Sequence, residues 1–184
     1  MRFIIIKDGT YNYDTVKDII QSLVGNNIKT VNKDNNIVIY HSYNDEEEIR
    51  RMLLALEVEL MTNMYAYLSN DSSDDRLNEE LEIGLRLLDY IPHGVFNLKE
   101  ALLHASDIKG KDKILSFILK YTGISEDFIR DFAKSDLNVS KASKEMFIHR
   151  NTMIYKLDKL KEISGFDLRC FKDAYILYML VENK

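Results

Sequence analysis

The sequence has a single cysteine, Cys170, so no disulfide can close within the chain and no cysteine pair can hold zinc. Set between Arg169 and Phe171 at a helix start, that thiol reads as a small half-buried residue rather than a reactive one. No apolar run is long enough to span a bilayer, and no signal peptide opens the chain. The four histidines, His41, His93, His104 and His149, are scattered without an H-x-x-x-H pair, and no glycine-rich phosphate loop occurs. Glu46, Glu47 and Glu48 suit the solvated first turn of a helix better than a pair of catalytic carboxylates. With no positioned nucleophile or base, the expectation is a protein that is not an enzyme and holds no metal or cofactor.

What is present is a globular composition, 46% apolar and 30% charged over 184 residues, enough for one sizeable core or two small ones in a cytoplasmic protein. A formal net charge of −5 looks unsuited to a nucleic-acid partner, but the charge is unevenly spread. From Asn138 onward the chain carries +3 and before it −8, so positive potential gathers in the last quarter. An excess that small gives one unit weak phosphate attraction, and two units held together are needed for firm binding.

That quarter contains NVSKASKEMFIHRNTMIYKLDKL, Asn138 to Leu160, two helical apolar patterns that break at Phe147 to His149. Val139, Ala142 and Met146 line the first, and Ala142 is small enough to let a second helix cross closely. Asn138 is a good N-cap that leaves early N–H groups for a phosphate. Met153, Leu157 and Leu160 line the second, so its opposite flank offers Arg150, Asn151, Tyr155 and, a turn later, Lys159. Arg can fork to guanine O6 and N7, Asn can pair with adenine N6 and N7, and Thr152 can meet a phosphate or a thymine methyl. All three lead the helix, as in a helix-turn-helix whose second helix enters the major groove. The same spacing also occurs in short helical pairs that touch no nucleic acid.

IHRNTMIYKLDKLKEISGFDL, Ile148 to Leu168, resembles the C-terminal helix-turn-helix of PucR/CdaR-type bacterial transcription regulators. Asn138, Ser140, Ile148, His149, Arg150, Asn151, Thr152, Tyr155 and Leu157 match that pattern residue by residue, and a looser likeness extends to Fis-type units. Ser143 stands beside Ala142 where some members carry the small residue, Met153 replaces Leu or Val, and Lys156 replaces Arg. That last change keeps a charge for phosphate and loses a bidentate fork. The resemblance implies a dimeric, sequence-specific regulator of double-stranded DNA, and names no small-molecule effector. Arg150, Asn151 and Thr152 would then meet base edges or adjacent phosphates, Tyr155 and Lys156 the flanking backbone, and Ser140 and Lys141 the phosphates at the head of the first helix. His149 is left between two roles, a phosphate contact or a cap on the second helix.

The rest of the chain sets the expected fold class, α+β. RFIIIK is a strand ended by Asp8-Gly9, YDTVKDIIQSLV a helix stopped by Gly25, and IKTVNKD with NIVIYHS a hairpin around Asp34-Asn35-Asn36. A helix from Asp45 to about Met61, with an i, i+4 pair between Glu47 and Arg51, and a strand in NMYAYLS complete the order βαββαβ, that of a ferredoxin-like unit. It also resembles a reduced form of the cyclase-like domain of PucR/CdaR relatives, without GGDEF or GGEEF. Beyond the acidic loop at 70–75 the sequence predicts helices alone. Leu77, Leu81, Leu85 and Leu88 line the first of these, Asn97 and Glu100 begin the next as a capping box, and a third carries Ile114 to Tyr121. A fourth is capped by Ser125, and the final helix, from about Phe171 to Val181, is apolar nearly all round and so belongs at an internal or subunit interface. The expected domains are 1–70 (small α/β), 71–124 (helical connector) and 125–184 (helix-turn-helix). Two functions stay open on these grounds, a transcription regulator or a dimeric adaptor that keeps the helix-turn-helix shape without binding DNA.

Overall fold

The computed structural model describes residues 1–7, 13–25, 28–70, 74–105 and 108–182, and the chain forms two compact units, Met1–Ile108 and Lys109–Lys184. The division falls at 108/109, inside the stretch 71–124 that the sequence groups as a connector. The turn expected at Asp8-Gly9 and residues 71–73 of the acidic loop lie outside the described residues.

In the first unit, Ile4, Ile5 and Ile6 form the middle of β1 (Arg2–Lys7), a β-branched run buried on both faces, as only an interior strand can be. After α1 (Tyr13–Val24) come β2 (Lys29–Lys33) and β3 (Asn36–His41). Asp34 and Asn35 hold φ of 51° and 58°, the pair of positive values that a two-residue hairpin turn requires. Next are α2 (Glu46–Glu59), capped by Asp45, and β4 (Tyr65–Leu68), which completes the βαββαβ order. The sheet runs β2-β3-β1-β4, antiparallel throughout, and a fifth strand, β5 (Gly94–Asn97), joins β4 in parallel.

That strand corrects the expectation of helix alone after the acidic loop. Only four residues long, it lies between a Pro-His-Gly turn and a helix cap, so its two apolar residues show no period of their own. The helix before it, α3 (Asp74–Leu87), buries Leu77, Leu81, Ile83 and Leu87, with Leu88 buried just past its end, while Leu85, expected on the stripe, is half-buried.

Both faces of the sheet are covered. Ile4, Ile6, Ile37, Ile39, Ala66 and Leu68 meet Val16 and Ile20 of α1 and Ile49, Leu53 and Leu56 of α2. On the opposite face α3 lies so close that a Cβ on Gly84 would stand 2.7 Å from Ile5 Cδ1 and 2.8 Å from the Tyr67 ring. Glu80, wholly buried on the same helix, is within 3.1 Å of the Tyr67 hydroxyl and accepts from the Asn70 N–H at 2.9 Å. Burial beside that carboxylate pushes the Tyr67 phenol well above its ordinary pKa.

The capping box expected at Asn97 and Glu100 begins α4 (Leu98–His104). Arg50 of α2 reaches across to it. Its guanidinium pairs with Glu46 at 3.0 Å and Glu100 at 2.8 Å and donates to the Val95 carbonyl. The expected Glu47–Arg51 pair is therefore displaced by one residue, since position 50 faces β5 and α4 while Arg51 gives its Nε to the Glu47 carbonyl at 3.3 Å.

The second unit is helical: α5 (Lys111–Leu119), α6 (Glu126–Lys134), α7 (Val139–Glu145), α8 (Arg150–Ser164) and α9 (Phe171–Glu182). Ser125 caps α6 as expected, and Phe128 and Phe132 stack with centroids 6.4 Å apart. Tyr121, expected on α5, lies past its end at φ 68° and in solvent. Ala174, Ile176, Leu177, Leu180 and Val181 bury one side of α9, which packs on α5 and α6, but Phe171 and Tyr175 remain exposed. Cys170 is exposed too, not half-buried, because the packing positions of that turn are taken by Phe166 and Leu168.

Candidate nucleic-acid interface

Ala142 of α7 is fully buried, and with no side chain beyond Cβ it lets α7 pack directly against α8. Met153, Leu157 and Leu160 turn one side of α8 inward, all at zero exposure. Between the helices Phe147 N–H donates to the Lys144 carbonyl at 3.3 Å and Ile148 N–H to the Ser143 carbonyl at 2.9 Å, the paired bonds of a Schellman ending. Phe147 occupies the left-handed position of that motif, φ 53°, where glycine is usual, and its side chain is 96% exposed. The apolar spacing of the sequence breaks at Phe147 to His149 and gives no sign of this ring. A bulky residue in the place of a turn glycine was the available signal.

Burial of that one side leaves the leading end of α8 in water. Arg150, Asn151 and Thr152 are exposed in its first turn, and Tyr155 follows at 65% exposure. Arg150 reaches back toward α7, with Nε 3.4 Å from Ser140 Oγ, so the structure brings these two expected residues together. His149, also exposed, acts as the N-cap: Nδ1 accepts from the Asn151 N–H at 3.2 Å. This bond is the capping role expected of it, and it fixes the ring beside Arg150.

Electrostatics narrows the surface further. Asn138 Oδ1 accepts from the N–H groups of both Ser140 and Lys141 at 3.0 Å, so these early groups of α7 are satisfied internally, where the sequence left them for a phosphate. Lys141 pairs with Asp136 at 2.7 Å and lies 4.0 Å from Glu145, and the Asp136 contact raises its pKa. Lys156 is half-buried on the flank of α8, with its ammonium 5.7 Å from the centre of the Phe128 ring of α6, apart from the other expected residues. Further along the outer side stand Asp158 and Glu162, both exposed. Arg150, Asn151 and Thr152 thus lead the helix with no acidic residue in its first two turns, whereas Lys159 and the exposed Lys161 further along alternate with Asp158 and Glu162.

The far end of α8 is closed by Gly165 at φ 76° and by a charged knot. Arg169 pairs with Asp158 at 2.8 Å and with Asp167 at 2.8 Å, while Lys161 lies 3.3 Å from Asp167. Hydrogen bonding from Arg169 holds the Asp167 carboxyl at a pKa of about 2. The knot fixes the loop between α8 and α9, so α8 is anchored at its tail and open at its head. Among the described residues no group of three or more His, Cys, Asp or Glu side chains is placed to hold a metal ion, and no helix is long and apolar enough to cross a membrane.

Known proteins resemble the chain over stretches of different length. It is 45% identical over 40 residues to the carbohydrate diacid regulator of Escherichia coli (strain K12), 22% of this chain and 10% of that protein. It is 35% identical over 52 residues to the uncharacterized protein YxkF of Bacillus subtilis (strain 168), 28% of this chain and 18% of that protein. The chain therefore spans less than a fifth of the length of either relative. A regulator of polyketide synthase expression from Bifidobacterium adolescentis shares the fold, with TM-score 0.53 and 17% identity over 97% of this chain and 77% of that one. Over residues 127–182 the chain matches the family of the PucR C-terminal helix-turn-helix domain, the resemblance that its H-R-N-T residues imply.

Proposed function

We propose that the chain is a sequence-specific DNA-binding transcription regulator of the PucR/CdaR type that acts as a dimer. The observation that carries this reading is the uncovered head of α8, where Arg150, Asn151 and Thr152 stand exposed above a helix anchored by its buried face and its tail. Two such heads enter successive major grooves, roughly 34 Å apart or a multiple of it. Arg150 and Asn151 meet base edges, Thr152 a phosphate or a thymine methyl, and Tyr155 the flanking backbone. His149, Ser140 and Lys141 line the approach to the phosphates. Lys141 exchanges its bond to Asp136 for one to DNA, so its net contribution is small. Lys156 reaches the backbone once its ammonium leaves the Phe128 ring.

A salt titration on genomic fragments and on random duplex checks this reading. The expected result is a steep loss of affinity with rising salt together with a preferred site that outlasts the random duplex. Binding that is indifferent to salt, or no binding at all, would favour the adaptor instead.

A further inference from the structure

Along α8 a stripe of residues leads away from the exposed head. Thr152, Lys156 and Lys159 follow one another in steps of four and three, so they share one flank of the helix. At the far end of that stripe lies the turn between α5 and α6, where the Lys159 ammonium stands 3.8 Å from the place a Cβ on Gly123 would take. We propose that this turn, through Lys120 and Tyr121, joins Lys156 and Lys159 in gripping the sugar-phosphate backbone of one DNA strand beside the groove that α8 enters. The inference rests on the regulator reading above and adds to it a sequence-independent contact outside the α7–α8 pair.

Groove dimensions place the strand. A helix with its side chains is roughly 10–12 Å across and the major groove of B-DNA is roughly 12 Å wide, so a helix lying in the groove has a phosphate wall along each flank. On the flank toward α7 the lysine is Lys141, already tied to Asp136 at 2.7 Å. On the flank toward the α5–α6 turn stand Lys156 and Lys159, neither of which makes an ion pair among the described residues. Glu126 and Asp127, in the first turn of α6, are engaged by Arg130 at 3.7 Å and 2.9 Å. Glu162, exposed a turn beyond Lys159, marks where the stripe ends. Positive potential on this flank is thus open to a phosphate.

The turn itself presents side chains on a fixed backbone. Thr122 is buried, and its Oγ1 donates to the Leu119 carbonyl at 2.8 Å and accepts from the Ile124 N–H at 3.1 Å. Tyr121, beside it, holds φ 68°, a conformation unfavourable for a bulky residue and open to glycine, yet its ring is 63% exposed. The Lys120 ammonium lies 5.4 Å from the centre of that ring, so a positive charge and a phenol hydroxyl are held side by side. Both are donors that phosphate oxygens accept. Two residues of chain span at most roughly 7 Å, so Tyr121 stays close to Gly123 and the ammonium beside it.

Binding of the full chain to a duplex selected from genomic fragments and to random duplex, each across a salt series, tests this. Lys120→Gln and Lys159→Gln should each weaken both duplexes alike, by about fivefold, and lower the salt slope by about one. Tyr121→Phe, which keeps the ring and removes the hydroxyl, should weaken both by about threefold with the slope unchanged. Tyr121→Gly should raise the melting temperature and weaken DNA binding together, a combination that no folding defect produces. Wild-type affinity and slope in both lysine variants, or full affinity in Tyr121→Gly, would overturn the contact and leave the regulator reading standing. A loss confined to the selected duplex would overturn it too, since that is base reading and not a grip on the backbone. A wild type that binds neither duplex would overturn both readings.

Discussion

The two units put their polar side chains to different ends. The first encloses Glu80 wholly beside the Tyr67 hydroxyl, between a strand and a helix, and His41 sits at 4% exposure with Nδ1 unpartnered among the described residues. The second also buries polar groups, Thr122, Ser135, Ser143, Ser164 and Asp173, but leaves Arg150, Asn151 and Thr152 in water at the head of one helix. Buried polarity fixes which strand and helix meet, because each group needs its own partner. Exposed polarity on a rigid helix stays available for a partner from outside.

The contrast is broken most strongly by acid. Burial, with Arg2 and the N-terminal ammonium nearby, lowers the His41 pKa from 6.5 to about 4. Its stabilising contribution is complete above pH 6.5 and is lost as the pH falls toward 4, because the unfolded chain takes up the proton first. The first unit should therefore lose about 3 kcal/mol over that interval. Denaturation followed through each unit's amide signals checks this, and equal losses in both units would erase the distinction. In the second unit the corresponding group is Asp167, whose pKa is lowered to about 2 by Arg169. Its contribution is present above pH 4 and lost toward pH 2, at most about 2 kcal/mol, and Asp167→Asn should remove this pH dependence.

Function sharpens the contrast. Asn151→Ala should cost roughly 1 to 3 kcal/mol on the preferred duplex and much less on random DNA, with stability unchanged within about 0.5 kcal/mol. Equal losses on both duplexes would remove Asn151 from base reading. The smallest expected effect is a gain. Phe147→Gly relieves the left-handed φ of 53° and should stabilise the second unit by about 1 kcal/mol, read as a rise in its melting temperature.

Local signals in the sequence mapped well onto local structure. The hairpin at Asp34-Asn35, the helix start at Asp45, the caps at Asn97, Ser125 and Asn138, and the inward stripe Met153, Leu157, Leu160 all rest on neighbours within a turn or two. β5 and the burial of Glu80 were not legible, since both depend on partners met only through the sheet: β4 for one, Tyr67 and Asn70 for the other. At the candidate interface the exposed head of α8 followed from the periodicity, because three inward residues leave one face outside. Asp136 holding Lys141 and Phe128 holding Lys156 did not follow, for a loop carboxylate and a ring on another helix have no spacing that announces them.

Arg50 joins parts of the first unit that the backbone does not. One guanidinium grips its own helix through Glu46, the edge strand through the Val95 carbonyl and the start of α4 through Glu100. Whatever tilts α2 must carry β5 and the first turn of α4 with it or break two contacts at once, so pressure applied to one side of the sheet is delivered as displacement at its rim.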